Sequence, residues 1–483
     1  MFSKKIVILI IVCLFSPILL NAQYVEWIRR YSGPITYGDD VPSAITIDAN
    51  GNIYVTGRTE SANNQVDVVT IKYYPNGETA WVRRYNGLGN DFDRANAIVV
   101  DNNGNVYVTG TTYTSATNSY GWLTIKYDSN GNLIWVKTFS SGIPDSWNEA
   151  KAIALDNIGN VYVTGYTLSY DNWYDFTTIK YDKLNGDTIW VRHYDGPING
   201  YDQAVGIAID NQNNIYVTGK SDGPDDWFDY ATVKYNSAGV LQWVKRYSYA
   251  NYSNDEPCAI TVDNNGNVYV TGRSTQSYYN NPDCATIKYY PNGDTAWVRR
   301  YNGTANDWDV AKDIAVDNYG NVYITGYTFT RTYQKSYLTI KYNSSGTQQW
   351  VKIYDLPDTL SGENEASCLD LDNAGNIYVT GTIDNSINYR SDDYGTIRYN
   401  PDGTQKWVTL YDNPDHSYDE AVGIAVDQNG NVYVTGTSYQ NYNDDIVTIK
   451  YYQAGANDVG VDSIIYPPEQ HLRLMPMRPC ALV

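Results

Sequence analysis

Aspartate recurs at fixed points of a repeated sequence unit, and its carboxylate gives this chain its most evident capacity for chemistry. The first set opens turns such as DNNGN and consists of Asp48, Asp101, Asp156, Asp210, Asp263, Asp317, Asp372 and Asp427. Calcium loops of the D-x-[DN]-x-[DN]-G kind have their glycine at the sixth position, whereas DNNGN has it at the fourth. The spacing therefore favours an Asx-type turn, in which the carboxylate accepts backbone N–H groups.

A second polar set stands five residues before the central Ile or Leu of each predicted inner strand. It comprises Asp40, Asp93, Asn148, Asp202, Asp255, Asp309, Asn364 and Asp419. These side chains are expected to form a polar ring at one mouth of a central channel, where they could bind a cation. Because Asn accepts hydrogen bonds without carrying charge, the mixed set favours a structural role in fixing the loops between units.

The remaining titratable residues argue against a defined catalytic centre. A basic position recurs in every unit and predicts a repeated structural contact, since a nucleophile in every copy would make no mechanistic sense; it is occupied by Lys72, Lys126, Lys180, Lys234, Lys288, Lys341, Arg398 and Lys450. Only His193, His416 and His471 carry imidazoles, which excludes a multi-histidine zinc site and weakens a Ser-His-Asp triad. Paired acids for glycoside cleavage stay open, but no pair stands out. No catalytic residue, metal or cofactor is predicted.

Aromatic residues are the other distinctive group, with 49 Tyr and 13 Trp in the chain. Many fall in variable segments such as SYDNWYDF and DGPDDWFDY. Tyr and Trp offer large rigid surfaces with a polar edge, which suit sugar rings and also protein partners. The candidate ligand-binding residues are Trp122, Trp173, Tyr174, Trp227, Tyr230, Tyr278, Trp308 and Tyr439.

The elements that must position these residues follow from a repeat. The phrase GN(V/I)YVTG, once in the form NNIYVTG and once in the form GNVYITG, occurs eight times at intervals of about 54 residues. One unit contains four short runs rich in Val, Ile, Thr, Tyr and Trp, at Ala97–Asp101, Asn105–Gly110, Thr124–Asp128 and Leu133–Phe139. Asn/Asp-Gly turns bound these runs, so each predicts a strand. Four strands in a unit of this length predict an antiparallel propeller blade, A-B-C-D.

The tryptophans predict how the ring closes. One Trp heads each fourth strand: Trp27, Trp81, Trp135, Trp190, Trp243, Trp297, Trp350 and Trp407. Trp27 precedes the first complete unit, while the last unit has no Trp after it. The N-terminal strand, Trp27–Tyr31, should therefore complete the eighth blade and leave no open edge. The predicted fold is all-β, an eight-bladed β-propeller of four-stranded antiparallel blades.

Loop lengths divide the predicted propeller into two faces. The A-B and C-D turns are short and uniform, while the B-C and D-A links are long and variable. In an up-down meander the two long links emerge on the same side. Because variable loops on a rigid scaffold usually carry binding, we expect the long-loop face to hold the ligand.

The unit AIxxDxxGNVYVTG, followed by TIKYDxNG and WVRRY, resembles the bacterial SBBP-type β-propeller repeats. This resemblance covers roughly residues 44–452 and implies a secreted or cell-surface propeller, with no catalytic residues to transfer. The family name implies seven blades, whereas this chain has eight units. The spacing NGxxxW at residues 130–135 is also similar to the TGxxxW motif of eight-bladed quinoprotein dehydrogenases. That similarity implies a Trp wedged between blades, without an adjacent Cys pair or an evident quinone site.

The two ends of the chain read differently from the repeats. Lys4 and Lys5 precede an apolar run, so residues 1–22 predict a signal peptide, 23–455 the propeller, and 456–483 a tail resembling the truncated start of an Ig-like β-domain. The apolar run is too short for a membrane span, and a secreted or surface-exposed bacterial monomer is expected. Cys258, Cys284, Cys368 and Cys480 do not recur with the unit, which argues against a disulfide framework.

Composition narrows the function without assigning it. The formal net charge of −20 argues against nucleic acid or an anionic membrane as partner. The sequence favours a binding or scaffold module that engages a glycan or another surface protein through its long-loop face. The alternatives are a polysaccharide hydrolase or lyase that uses loop-face Asp residues, and a purely structural surface protein.

Overall fold

The computed structural model describes residues 24–452, apart from 63–64, 172, 226, 278–280, 332–333, 356–362 and 385–391. The predicted signal peptide and the predicted C-terminal tail lie outside the described residues. Within those residues, 32 strands form eight four-stranded antiparallel sheets, each of which is one blade. No helix among them is long and apolar enough to cross a membrane.

The strands follow one another along the chain in the order A-B-C-D. The N-terminal strand and the first four blades are β1 (Tyr24–Tyr31), β2 (Asp40–Ile47), β3 (Ile53–Ser61), β4 (Gln65–Tyr73), β5 (Thr79–Tyr85), β6 (Asp93–Val100), β7 (Val106–Thr114), β8 (Ser119–Tyr127), β9 (Leu133–Phe139), β10 (Glu149–Leu155), β11 (Val161–Leu168), β12 (Tyr174–Tyr181), β13 (Thr188–Tyr194), β14 (Asp202–Ile209), β15 (Ile215–Asp222), β16 (Phe228–Tyr235) and β17 (Leu241–Tyr247). The last four blades contain β18 (Asp255–Val262), β19 (Val268–Ser274), β20 (Asp283–Tyr289), β21 (Thr295–Tyr301), β22 (Asp309–Val316), β23 (Val322–Arg331), β24 (Gln334–Tyr342), β25 (Gln348–Tyr354), β26 (Glu365–Leu371), β27 (Ile377–Asp384), β28 (Asp392–Tyr399), β29 (Gln405–Tyr411), β30 (Asp419–Val426), β31 (Val432–Gln440) and β32 (Asn443–Tyr452).

The ring is closed by its own N-terminal strand, as the tryptophan count predicts. The eighth sheet has the order β1-β32-β31-β30, and Trp27 pairs with Lys450 in the register that Trp81 and Lys72 adopt in the first blade. Each A strand contacts the A strand of the next blade around the full circle, from β2 to β30 and back to β2. The A strands are therefore innermost, and the predicted eight-bladed fold is confirmed.

The repeated phrase is explained by its two glycines. Gly51 turns between strands A and B at a φ of +75°, a conformation that side chains disfavour. Gly57 lies where strand A bulges against strand B, and a Cβ there would sit 2.1 Å from the Val41 carbonyl oxygen. Between them Ile53, Tyr54 and Val55 are fully buried. The phrase thus encodes the turn, the buried strand and the close approach of two backbones.

Neighbouring blades interlock through the repeated aromatic and basic residues. Trp81 packs between Tyr54 of its own blade and Tyr127 of the next, with ring centroids 6.2 and 6.1 Å away. The Lys72 ammonium donates to the Ser129 carbonyl of the next blade at 3.0 Å. The Trp wedge and the repeated basic contact that the sequence predicted are both present.

Candidate functional site

The long links meet on one face, as their lengths predict. Gln65, at the start of strand β4 where a B-C link ends, donates to the Asn90 carbonyl in the following D-A link. On the opposite face the short turns contact one another, for example where Asn157 donates to the Asn211 carbonyl. The described parts of the variable segments therefore lie on one face of the ring, which we call the loop face.

The first aspartate set forms the predicted turns. Asp48 Oδ1 accepts the backbone N–H groups of Asn50 and Asn52, both at 2.9 Å, and its Oδ2 accepts the Tyr54 hydroxyl. The same pattern recurs in the other seven blades, for example at Asp427. These carboxylates are occupied by local hydrogen bonds on the short-turn face.

The second polar set is buried at the start of the A strands. All eight side chains are at most 1% exposed. Asp309 Oδ2 accepts the Gly303 N–H at 2.7 Å, and Asp419 Oδ2 accepts the Asn413 N–H at 2.8 Å. Asn148 instead donates to the Tyr120 carbonyl in β8 and accepts the Leu168 N–H at the end of β11. These side chains therefore hold the backbone in and beside the long links in place.

Burial leaves several of these carboxylates electrostatically uncompensated. Removal from water raises the pKa of Asp40, Asp202, Asp309 and Asp419 to about 6 each. By contrast, nearby Lys151 and Arg94 outweigh the effect of burial on Glu149 and lower its pKa to about 2. Among these buried carboxylates, the surroundings therefore raise the pKa of four aspartates and lower the pKa of Glu149.

An open cleft of about 430 Å³ lies on the loop face where the third, fourth and fifth blades meet. Its lining comprises Trp173, Ile198, Asn199, Gly200, Tyr201, Asp222, Trp227, Phe228 and Asn254. The Trp173 and Tyr201 rings meet edge to face, 4.8 Å apart. This aromatic pair, together with the amide and carboxylate groups of the lining, could bind a flat or ring-shaped polar ligand.

Local turns position the two cleft tryptophans. The Ser169 N–H donates to the Trp173 carbonyl at 2.8 Å, and the Gly223 N–H donates to the Trp227 carbonyl at 2.7 Å. Both closed turns precede strand C, so adjacent blades present a Trp at the same point of the repeat. Gly200 allows the D-A link to approach closely, because a Cβ there would collide with the Asp222 carboxylate.

The predicted ligand-binding residues divide into exposed and buried groups. Trp173, Trp308 and Tyr439 are 38–39% exposed, while Tyr174 and Trp227 are half-buried. Trp122 and Tyr230 are fully buried, which corrects their assignment to the binding surface. Both lie on strand C and face the next blade, where Trp122 donates to the Tyr166 carbonyl and Tyr230 to the Ala285 carbonyl. Tyr278 lies outside the described residues.

The sequence prediction included Trp308 but overlooked that other blades also have an aromatic residue at its position in the repeat. In five blades an aromatic residue directly precedes the buried Asp or Asn of the second polar set: Phe92, Trp147, Tyr201, Trp308 and Tyr418. The four after Phe92 are 37–40% exposed, and Phe92 is half-buried. Alignment of the eight units on the second polar set would have revealed them, because they share one position in the repeat.

Comparison with known proteins agrees with this architecture. The SBBP β-propeller repeat matches residues 26–64, 80–115, 194–225, 242–279, 296–328 and 406–443. An uncharacterised WD repeat-containing protein of Acanthamoeba polyphaga mimivirus is 22% identical over 84% of this chain, which spans about a third (33%) of that relative.

Two solved structures illustrate the range of similar folds. The quinohemoprotein alcohol dehydrogenase of Comamonas testosteroni is 10% identical, with a TM-score of 0.51 over 89% of this chain and 76% of its own. The periplasmic gluconolactonase of Pseudomonas aeruginosa is 12% identical, with a TM-score of 0.41 over 70% of this chain and 94% of its own. At these identities the likeness concerns the fold alone. With six matched repeats and a closed ring of eight blades, the chain belongs to the SBBP β-propeller repeat family.

Proposed function

We propose that this propeller is a binding module whose loop face engages a glycan in the cleft between Trp173 and Trp227. The observation that supports it most is the edge-to-face pair of Trp173 and Tyr201 in the lining of that cleft. The ring centroids lie 4.8 Å apart, and both side chains are more than a third exposed. A monomeric protein normally buries such rings, and exposed aromatic clusters mark interaction sites.

The chemistry of the cleft favours a sugar over a flat apolar ligand. The faces of Trp and Tyr attract the C–H groups of a sugar ring, and Asn199, Asn254 and Asp222 supply acceptors and donors for hydroxyl groups. The cleft is open, so a chain of sugar units could continue along the exposed aromatic residues of the loop face toward Trp147. A negatively charged ligand is disfavoured by the net charge of −20.

The test is a glycan array on the purified protein, followed by calorimetric titration of the best ligand. Substitution of Trp173→Ala is expected to weaken binding at least tenfold, because it removes one aromatic wall. The matched control is Tyr319→Ala, since Tyr319 is 85% exposed on the short-turn face and should leave affinity unchanged. A silent array, or equal losses in the two variants, would contradict the proposal.

A further inference from the structure

Three carboxylates converge at the junction of the third and fourth blades, beside the cleft. Asp175 comes from strand β12, Asp195 follows strand β13, and Asp202 begins strand β14. One oxygen atom of each lies within 4.8 Å of the others. They belong to two blades and three separate segments, so no short sequence motif contains all three.

Other blades show what normally neutralises this position. Asp229, Asp283 and Asp445 occupy the strand-C position of Asp175 in their own blades. Each pairs with an arginine of the neighbouring strand D at 2.9 Å: Arg246, Arg300 and Arg30, respectively. A guanidinium is thus the cation that accompanies the strand-C aspartate in these three blades.

The third blade lacks that guanidinium. His193 stands at the arginine position, where its Nδ1 lies 2.9 Å from the Thr177 hydroxyl. Where the arginine-bearing blades have Ser32, Ser248 and Asn302, this blade has Asp195. One positive charge is therefore lost and one negative charge gained at the same place.

The cluster has no internal compensation for its charge. Asp202 is fully buried, and its Oδ1 has no hydrogen-bond partner among the described residues, while Oδ2 accepts the Gly196 N–H. Arg246 partly offsets the charge of Asp202, but its guanidinium already binds Asp229 and Ser221.

We propose that Asp175, Asp195 and Asp202 bind a calcium ion, which takes the place of the guanidinium found in the other blades. Calcium binds oxygen ligands at about 2.3–2.6 Å, so ligands on opposite sides of the ion stand up to about 5 Å apart. Oxygen atoms within 4.8 Å of one another fit that sphere. Magnesium demands near-ideal octahedral geometry and dehydrates reluctantly, so three carboxylates from separate segments suit calcium better. Asp195 is exposed, which leaves room for water to complete the coordination.

A bound ion would connect the third blade to the fourth and fix the link between them. Residues 196–201 join Asp195 to Asp202, and this link supplies Ile198, Asn199, Gly200 and Tyr201 to the cleft. The calcium site therefore determines the conformation of one cleft wall, although the site itself does not depend on what the cleft binds.

The same three repeat positions carry carboxylates in one other place, at the junction of the seventh and eighth blades. Asp393, Asp412 and Asp419 come together there, and Leu410 replaces the arginine. In that cluster the His416 imidazole contacts Asp412 at 2.5 Å and supplies a local partner. Calcium is therefore assigned only to the cluster of Asp175, Asp195 and Asp202.

The experiment compares thermal unfolding and calorimetric calcium titration of the full protein in EDTA and in 1 mM CaCl₂. Calcium is expected to raise the unfolding midpoint of the native protein by a few degrees. Asp195→Asn should abolish the part of the binding isotherm due to this site. Asp294→Asn, which removes an exposed carboxylate from a short turn, should leave binding unchanged.

A second variant restores the arginine–aspartate pair that three other blades contain. His193→Arg is expected to pair with Asp175, raise the unfolding midpoint in EDTA and remove the calcium response. Absence of any calcium-dependent shift in the native protein, or an unchanged isotherm in Asp195→Asn, would overturn the proposal. Binding of MgCl₂ in preference to CaCl₂ would overturn the choice of ion. None of these measurements involves a glycan, so their failure is distinct from failure of the proposed function.

Discussion

Single residues at repeated positions stabilise the fold, although the sequence alone would allow them a catalytic or metal-binding role. Asp48 closes a turn, and the Lys72 ammonium lies 5.2 Å from the Tyr54 ring centroid while it bonds to the next blade. Because each task recurs in every blade, a side chain that departs from its repeat position is the more informative signal. His193, in place of an arginine, is such a departure.

The second glycine of the repeated phrase should tolerate no side chain. In Gly57→Ala the new Cβ would collide with the backbone of strand β2, and the pairing of β2 with β3 along its whole length holds that backbone in place. We expect the free energy of unfolding to fall by at least about 2 kcal/mol, measured by urea titration.

The matched control for that substitution is Gly142→Ala, because Gly142 has a φ of +74° but no neighbour within 4 Å. It should cost only the local backbone preference, roughly 1 kcal/mol. If the two variants lose the same stability, steric contact with strand β2 is not the reason for the glycine.

At the scale of elements, the N-terminal strand is the only part of its blade that is distant in sequence. Strand β1 pairs with β32 from Tyr31–Ile446 to Tyr24–Tyr452. Removal of residues 24–31 should expose the edge of β32 and leave Tyr433 and Tyr73 without Trp27 between them. We expect a lower unfolding midpoint and larger species in light scattering.

Complementation distinguishes loss of the strand from general damage. A peptide of sequence YVEWIRRY, added to the truncated protein, should restore the midpoint and the original size. The same peptide with Trp27→Ala should be much less effective, because the buried indole contributes about 3 kcal/mol or more to such packing. A truncated protein of unchanged size and stability would contradict closure by β1.

The elements were predictable because every local signal agrees with the repeat. Short turns, alternating β-branched residues and eight tryptophans out of phase with the unit together predict the blades and their closure. The candidate site was predicted less completely. Trp122 and Tyr230 stand at the edges of variable segments, yet strand C extends through them and buries both. Conversely, Asp175 and Asp202 are far apart in sequence, and only the packing of adjacent blades brings them together.

At the scale of the whole molecule, the two faces differ in how strictly the repeat is kept. The short-turn face repeats the same hydrogen bonds from blade to blade. The cleft, the exposed aromatic residues and both three-carboxylate clusters lie on the loop face. A rigid ring therefore supports one variable surface. Its buried carboxylates also make the stability of the whole ring depend on pH.

Stability should rise as the solution becomes mildly acidic. The pKa values of Asp40, Asp202, Asp309 and Asp419 are raised to about 6, above the ordinary value of 3.8, so the folded protein binds protons more readily than the unfolded chain between these limits. Their ionisation thus destabilises the fold above pH 6, and this cost disappears toward pH 4. Neutral His193 acts oppositely below its ordinary pKa of 6.5, but it is one group against several.

The measurement is urea unfolding in EDTA at pH 7.5 and pH 5. The free energy of unfolding is expected to be at least about 1 kcal/mol higher at pH 5, since one pKa unit corresponds to about 1.4 kcal/mol. Asp309→Asn should reduce the difference while keeping the fold, because Asn148 and Asn364 already occupy the same repeat position. Glu149, whose pKa is about 2, is ionised in the folded protein at both pH values, and its ordinary pKa of 4.5 lies below this pH range, so it contributes little to the difference. A protein less stable at pH 5 would show that the buried carboxylates are compensated in solution, and an unchanged difference in Asp309→Asn would exclude this residue as a cause.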